Sequence, residues 1–291
     1  LTGLNAREIP LDSKEVMSLF QHTGALGIKP EDIGGCKLGA LGIPEFGTDF
    51  VMQMLRDTKP KAFSDLVRIS GLSHGTNVWR NNADELIASG ITDLRGVIGC
   101  RDDIMVYLIE NGLEPKMAFD IMEYVRKGKA AKGENPAKWA KYVEAMKEKN
   151  IPEWYYWSCE RIKYMFPKAH AAAYVISAFR IAWYKVHMPV YFYASWFSTK
   201  ATDFDIEAMI KGYDSIKDRI VEINNKGFEA SNKEAGISEC LKVALEMSAR
   251  GIKVANFDLY KSKGLTFDVA DDNTLIPPFI TIDGLGEKVA K

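Results

Sequence analysis

The sequence contains few cysteines, and no two of them have the spacing of a metal site. Its 291 residues include four: Cys36, Cys100, Cys159 and Cys240. Because no C-x-x-C pair occurs, neither a zinc knuckle nor a disulfide framework is indicated, and a reducing cytoplasm is the expected location. No apolar run reaches about 18 residues, the length typical of a membrane-spanning helix. The first residues do not have the pattern of a signal peptide, so no membrane association is expected.

The chain also lacks an overall excess of charge, since its formal net charge is −1. Local composition differs from this average. Residues 126–187 contain 13 Lys and Arg against 5 Asp and Glu, a net of +8, whereas residues 1–125 and 188–291 carry −6 and −3. A basic band between acidic flanks is an electrostatic pattern typical of polyanion binding. A solvated helical face is the alternative explanation.

Apolar residues recur at helical spacing along most of the chain, and a hydrophobic content of 47% suffices for one large or two modest packed units. The pattern predicts ten to twelve helices. Among them are a helix that Pro115 opens and that runs through Arg126, a short charged helix from Pro136 to Lys149, an aromatic helix over residues 153–165 and helices over 206–225 and 233–250. Residues 257–282 instead alternate between apolar and polar, with a turn at 271–273, which predicts a β-hairpin. The fold class expected is therefore mainly α with a small β element.

The longest segment without a helix breaker follows Pro167, a residue that suits the first turn of a helix. The segment has one apolar face: Ala172, Val175, Phe179, Ala182, Trp183 and Val186. The opposite face has rings and hydrogen-bonding groups, with Arg180 and Lys185 at its edges: His170, Tyr174, Ser177 and Tyr184. Such a face could stack on a base and bind phosphate oxygens. An ordinary amphipathic core helix is the alternative.

Three shorter segments have residue types that suit a ligand site. Residues 69–79, ISGLSHGTNVW, are predicted to form a polar turn whose hydroxyl and N–H groups face a ligand or simply solvent. The RKGK cluster at 126–129 places cations near a helix C-terminus, where either the helix dipole or a bound anion accounts for them. The TDFD segment at 202–205 resembles a magnesium-binding pair, but Thr202 and Asp203 are predicted to be the N-cap of a helix.

The segments SGLSHGTNVW, IGCRDDIMVYL, VRKGK, YMFPKAHAAAY and PPFITIDGLG occur in this order. With them the sequence resembles, over essentially its whole length, the C-family bacterial replicative DNA polymerases of the PolC type, the DNA polymerase III alpha subunit of low-GC Gram-positive bacteria. The resemblance implies multi-helical polymerase fingers in residues 1–198. It implies a helical connector and the beginning of a duplex-binding domain, with a truncated helix-hairpin-helix, in residues 199–291. Because the chain lacks an initiator Met and stops within a motif, a piece of a longer protein is expected.

The resemblance also implies functional residues and partners. The nucleotide-binding residues it implies are Ser70, Ser73, His74, Arg101, Arg126, Lys127, Lys129, Phe166, Lys168, His170 and Tyr174. The implied DNA contacts are Gly284, Gly286 and Lys288. No catalytic or metal-binding residue is expected in this chain, since the aspartates that hold Mg²⁺ would lie in a palm domain upstream, together with the PHP and exonuclease domains. Implied partners are primer-template DNA, deoxynucleoside triphosphates, the sliding clamp and other replisome subunits, at the nucleoid.

Three other functions are compatible with parts of the sequence. A different nucleotidyltransferase would use the aspartates of TDFD as metal ligands. A non-catalytic helical DNA-binding module would need only the basic band and the helix-hairpin-helix. A purely structural helical scaffold would use the cations at 126–129 for solubility alone.

Overall fold

The computed structural model describes residues 2–291, and helices dominate this part of the chain. Fourteen α-helices lie within it: α1 (Lys14–Ser18), α2 (Asp49–Thr58), α3 (Phe63–His74), α4 (Asp84–Ala88), α5 (Arg101–Glu110), α6 (Pro115–Arg126), α7 (Pro136–Glu148), α8 (Glu153–Cys159), α9 (Lys168–His187), α10 (Pro189–Thr199), α11 (Ile206–Lys211), α12 (Tyr213–Lys226), α13 (Asn232–Ala249) and α14 (Glu287–Ala290). Three short strands accompany them: β1 (Lys253–Val254), β2 (Asp268–Asp271) and β3 (Thr274–Ile276). The mainly α fold with a small β element is confirmed. None of the helices within residues 2–291 has the length and apolarity needed to cross a membrane.

The chain divides into two compact units. The central unit comprises residues 49–177, and the terminal unit combines the residues up to 48 with residues 178–291. The division therefore falls within α9. The sequence-based boundary at residue 198 separates two proposed functions, nucleotide binding and duplex binding, and it stays a prediction.

Two helices of the central unit begin with a side chain that accepts from a free N–H group, followed by a proline that has no N–H to satisfy. Glu114 accepts a hydrogen bond from the N–H of Met117, and α6 then starts at Pro115. Asn135 caps α7 in the same way before Pro136. Both helices match the sequence prediction closely, because their start signals are local. The aromatic helix is shorter than predicted, since α8 ends at Cys159 and the residues up to 167 are not helical.

The terminal unit has a core formed mainly by α10 and α13. Its buried side chains include Phe192, Tyr193, Phe197, Leu241, Leu245 and Met247. The sheet has the order β1-β3-β2, with β2 and β3 antiparallel as the hairpin prediction requires. Strand β1 pairs in parallel with β3, and it was not predicted because two residues are too few to show alternation. The helix predicted over 206–225 is two helices, since Gly212 adopts φ +97° between them.

The environment of Lys185 differs from the one that the sequence predicts for it on α9. The sequence placed it at the edge of the polar face, yet its side chain is fully buried in the terminal unit. Its ammonium donates to the carbonyl oxygens of Gly39 (2.7 Å) and Leu41 (2.6 Å), and Glu246 Oε1 lies 2.8 Å away. Because all three acceptors come from segments distant in sequence, helical periodicity alone could not indicate this burial.

Candidate functional site

An extended segment, residues 163–167, connects several of the predicted motifs of the central unit. The N–H of Thr76, just after α3, donates to the carbonyl oxygen of Tyr164 (2.9 Å), and the N–H of Lys163 donates back to that of Thr76 (3.0 Å). On the α6 side, the N–H of Met165 donates to the carbonyl of Arg126 (3.3 Å). The polar 69–79 segment and the basic 126–129 cluster are thereby held against the same five residues.

The start of α5 and the start of α9 meet at the end of this segment. The N–H of Arg101 donates to the carbonyl oxygen of Phe166 (3.1 Å). The N–H of Lys168 donates to Asp102 Oδ2 (2.7 Å). The carboxylate of Asp103 accepts from the N–H groups of Gly99 and Cys100, both at 3.0 Å, and so fixes the first turn of α5. Among the described residues, the guanidinium of Arg101 makes no ion pair or hydrogen bond with protein.

Aromatic rings from α3, the 163–167 segment and α9 form one cluster. Its members are His74, Tyr164, Phe166, His170 and Tyr174. The rings of Phe166 and His170 are stacked with centroids 5.0 Å apart, and His170 lies 4.7 Å from Tyr174. His170 and Tyr174 are four positions apart on α9, so helical geometry places them on one side of that helix, and Phe166 lies in the extended segment just before it. His74 completes the cluster at 6.0 Å from both Phe166 and Tyr174. The structure thus brings together four of the predicted residues, and Tyr164 joins them as a residue that sequence reasoning missed.

The polar segment at 69–79 is a helix for half its length, which corrects the predicted turn. Ser70, Ser73 and His74 lie in the last turns of α3, because buried Ile69 and Leu72 continue the apolar face of that helix. Ser70 is only 1% exposed, and its Oγ lies 3.3 Å from His74 Nδ1. The hydroxyl of Ser73 donates to the carbonyl of Ser70 (3.0 Å). Of the three, His74 is the one that reaches the ring cluster.

The cations at 126–129 are paired with carboxylates that are close to them in sequence. Arg126 Nη2 donates a hydrogen bond to Glu123 Oε2 (2.9 Å), and Lys127 Nζ lies 2.9 Å from the same oxygen. Hydrogen bonds from Arg126 and then Lys127 lower the pKa of Glu123 to about 2. Lys129 Nζ is 3.9 Å from Glu134. Three cations face two carboxylates, so the cluster keeps an excess of one positive charge.

Gly128 fixes the path of this basic cluster beside the 163–167 segment. Its φ of +71° is in the left-handed region, and a Cβ there would overlap the carbonyl of Lys163. The close approach of the two backbones therefore requires glycine.

Two arginines that sequence reasoning missed lie near Lys168. A cavity of about 520 Å³ is lined by Arg68, Arg95 and Lys168, with Asp65 and Asp103 among its acidic residues. Arg68 Nη1 is 3.1 Å from Asp103 Oδ2, and Lys168 Nζ is 3.7 Å from Asp103 Oδ1. Arg95 Nε is 3.3 Å from Asp65 Oδ1. No local signal marks either arginine, because each pairs with an aspartate some thirty positions away.

The aspartates of the TDFD segment do not fit a magnesium pair. Asp205 Oδ1 accepts from the N–H of Ala208 (3.1 Å) as the N-cap of α11, and Asp205 Oδ2 bonds Arg219 Nε at 2.9 Å. Asp203 Oδ2 accepts from the hydroxyl of Thr202 (2.9 Å). The cap is therefore Asp205 and not Thr202 or Asp203 as predicted. Within residues 2–291, no three His, Cys, Asp or Glu side chains form a group able to hold a metal ion.

The predicted DNA contacts lie at the end of the terminal unit. Gly284 has φ +79° in a turn, Gly286 precedes the four-residue helix α14, and Lys288 is exposed on that helix. A single turn of 3₁₀-helix, Phe279–Thr281, stands before the turn. Their contact with DNA stays a prediction.

Comparison with known proteins finds a matching family model and several relatives that share one name. The family model described as bacterial DNA polymerase III alpha subunit finger domain matches residues 2–150. Proteins named DNA polymerase III PolC-type are similar over the full chain: 55% identical over 290 residues in Bacillus subtilis, 54% over 290 in Oceanobacillus iheyensis and 54% over 292 in Lactococcus lactis. The chain spans about a fifth of the length of these curated relatives, 20%, 20% and 18% respectively.

Proposed function

This chain belongs to the bacterial DNA polymerase III alpha subunit finger-domain family, and we propose that it holds the incoming deoxynucleoside triphosphate in a replicative, PolC-type DNA polymerase. The observation that carries the proposal is the stacked pair Phe166 and His170 with Lys168 between them in sequence. A stacking surface and a cation therefore lie within five successive residues. Such a combination suits a nucleotide, whose base is flat and whose phosphates are anionic.

The reaction proposed for the whole polymerase is template-directed phosphodiester formation. The primer 3′-hydroxyl attacks the α-phosphate of the nucleotide, a new O–P bond forms, and pyrophosphate leaves. Catalysis of this step consists mainly of positioning and of charge stabilisation. Mg²⁺ would supply charge neutralisation at the reacting phosphates, held by aspartates of another part of the polymerase, since the TDFD carboxylates of this chain have other partners.

Each group of residues in the central unit has a separate part in the proposal. Lys168, Arg101 and the cations at 126–129 bind phosphate oxygens and offset their charge. The rings of His74, Phe166, His170 and Tyr174 contact the nascent base pair. Ser70 acts through His74, to which its hydroxyl is adjacent, and Ser73 stabilises the end of α3. The support for Arg101 is its unpaired guanidinium and the hydrogen bond from its backbone N–H to the carbonyl oxygen of Phe166.

Partners of the whole protein follow from the same proposal. Primer-template DNA would contact Gly284, Gly286 and Lys288, with fingers in residues 1–198 and duplex binding from 199 onward. The sliding clamp, other replisome subunits and a location at the nucleoid are proposed from the replicative role that the relatives' name implies.

The test uses the intact polymerase and the variants Lys168→Ala and His170→Ala. Loss of one charge-assisted phosphate contact in Lys168→Ala corresponds to about 1.5–3 kcal/mol, and loss of one ring contact in His170→Ala to about 1–3 kcal/mol. We therefore expect kcat/KM for the nucleotide to fall about ten- to a hundredfold in each variant, chiefly through KM. Lys141→Ala, an exposed lysine on α7 of the same unit, is the matched control and should leave kcat/KM unchanged. Wild-type nucleotide use by both site variants would remove these residues from the site. Primer-template binding that is indifferent to added nucleotide would instead favour a helical DNA-binding module.

A further inference from the structure

A second cavity lies within the terminal unit and shares no residue with the candidate site. Its volume is about 280 Å³, close to the lower end of the range for small-ligand pockets. Much of its wall comes from three aromatic side chains of α9 and α10: Tyr184, Tyr191 and Trp196. Each of them packs partly on the apolar core of the unit, which leaves the remaining ring surface for the cavity.

The polar ends of these rings have no protein partner. Among residues 2–291, the hydroxyl groups of Tyr184 and Tyr191 and the Nε1–H of Trp196 make no hydrogen bond. All three side chains are half-buried, and each combines an apolar ring with a polar end. Three such groups around one cavity therefore offer a ligand both stacking surfaces and hydrogen-bonding groups.

Gly42 contributes backbone to the cavity wall, and this backbone is closely packed. Gly42 has φ +73°, and a Cβ there would lie 3.1 Å from Phe192 Cζ and 3.2 Å from the indole of Trp196. The loop before it is fixed by the buried ammonium of Lys185, which binds the carbonyl oxygens of Gly39 and Leu41. The cavity is thus bounded both by a loop that these hydrogen bonds hold in place and by the packed helices α9 and α10.

Charge at the cavity is positive and small. Lys200 is the one charged residue among those that line it in the described chain. Its side chain is exposed and makes no ion pair within residues 2–291. A single cation suits one phosphodiester, whereas the triphosphate of a free nucleotide would need several.

We infer that this cavity binds one unstacked base of a single-stranded DNA, with Lys200 on the adjoining phosphate. Stacking on aromatic side chains beside a cation is the general mode of single-strand binding, and it tolerates any base sequence. The choice of DNA rests on the proposed function, since a replicative polymerase handles a single-stranded template. The base and phosphate contacts themselves rest on the cavity alone.

The test uses the intact polymerase without nucleotide, bound to a primed template whose 5′ overhang carries 5-iodouracil at one position at a time. Irradiation should crosslink one or two adjacent overhang positions to a peptide within residues 189–200. Trp196→Leu should abolish that crosslink and weaken overhang binding about tenfold, as expected for loss of one base–aromatic stack. Tyr260→Leu, an exposed ring outside the cavity in the same unit, should change neither result.

Lys200→Gln tests the phosphate contact and does not depend on repacking of the cavity. The slope of log affinity against log salt concentration should become shallower by about 0.7, the value for one single-strand phosphate. Lys217→Gln, an exposed lysine elsewhere in the unit, should keep the wild-type slope. An unchanged slope in Lys200→Gln, crosslinks confined to other peptides, or equal competition by free dATP would each overturn the inference. Lys168→Ala should bind the overhang with wild-type affinity. Failure of the proposed nucleotide site and failure of this inference can therefore be told apart.

Discussion

The N–H of Lys168 donates a 2.7 Å hydrogen bond to Oδ2 of Asp102. A carboxylate from the first turn of α5 thereby caps the first turn of α9, and the next residue, Asp103, lies 3.7 Å from the ammonium of Lys168. Both the backbone and the side chain of Lys168 are thus oriented by two successive aspartates. The RDD sequence at 101–103 therefore has a positioning role toward α9 that its own helix does not reveal.

We expect Asp102→Ala to loosen the start of α9 and to lower nucleotide use several-fold. Loss of a capping side chain costs about 0.5–2 kcal/mol. Hydrogen exchange in the intact polymerase should become faster at amides 168–171, and KM for the nucleotide should rise. Asp102→Asn keeps an acceptor oxygen and serves as the control. Wild-type exchange in Asp102→Ala would show that this hydrogen bond does not hold α9.

Gly128→Ala should displace the basic cluster, because a Cβ there would overlap the carbonyl of Lys163. The matched control is Gly133→Ala, whose φ of +66° imposes similar backbone strain but whose Cβ would meet nothing within 4 Å. Left-handed strain alone costs about 1–2 kcal/mol, so Gly128→Ala should be the more destabilising of the two and should alone reduce nucleotide use. Thermal unfolding and steady-state kinetics of both variants provide the measurement, and equal effects would contradict the close approach.

The carboxylate of Glu123 should stay ionised below the pH at which an ordinary glutamate is protonated. Hydrogen bonds from Arg126 and Lys127 lower its pKa from 4.5 to about 2. Its contribution to the stability of the folded state is therefore fully present above about pH 4.5 and is lost as the pH falls through about 2. A ¹³C NMR titration of the Glu123 carboxylate measures this, and Arg126→Gln should move the midpoint upward. A wild-type midpoint near 4.5 would contradict the observed pairing.

Local signals predicted much of the fold. Helix α9 was recognised from twenty residues without a breaker, α6 and α7 from their N-terminal prolines, and the hairpin from alternation around 271–273. Polar composition misled at residues 70–74, since serine, glycine and histidine suggest a turn although the apolar residues between them continue α3. Tertiary packing decides such segments, and composition does not report it.

The candidate site was predicted by resemblance rather than by spacing. No periodicity brings His74 to His170, whose rings lie 6.1 Å apart, because an entire set of helices separates them in sequence. Arg68 and Arg95 were missed for the same reason: their aspartate partners are remote. Residue type indicated which side chains suit a nucleotide, and only the fold shows which of them meet.

The buried pair Lys185 and Glu246 gives the sharpest stability prediction. Glu246 Oε1 also accepts from the hydroxyl of Tyr193 (2.7 Å), whereas its Oε2 has no hydrogen-bond partner among the described residues. Burial lowers the pKa of Lys185, and the nearby Glu246 carboxylate opposes that shift. Lys185→Met should therefore destabilise the terminal unit by about 3–5 kcal/mol, because it leaves a buried carboxylate without its cation.

The double variant Lys185→Met with Glu246→Gln separates the charge from the packing. Glutamine removes the uncompensated charge and keeps an acceptor for Tyr193, so we expect it to recover part of the lost stability. Recovery should be incomplete, since the carbonyl groups of Gly39 and Leu41 still lack their donor. Hydrogen exchange of α13 amides in the intact protein reports the opening free energy, with Lys217→Met as an exposed control. A double variant no more stable than Lys185→Met would mean that the lysine acts by holding the 39–41 loop and not by neutralising Glu246.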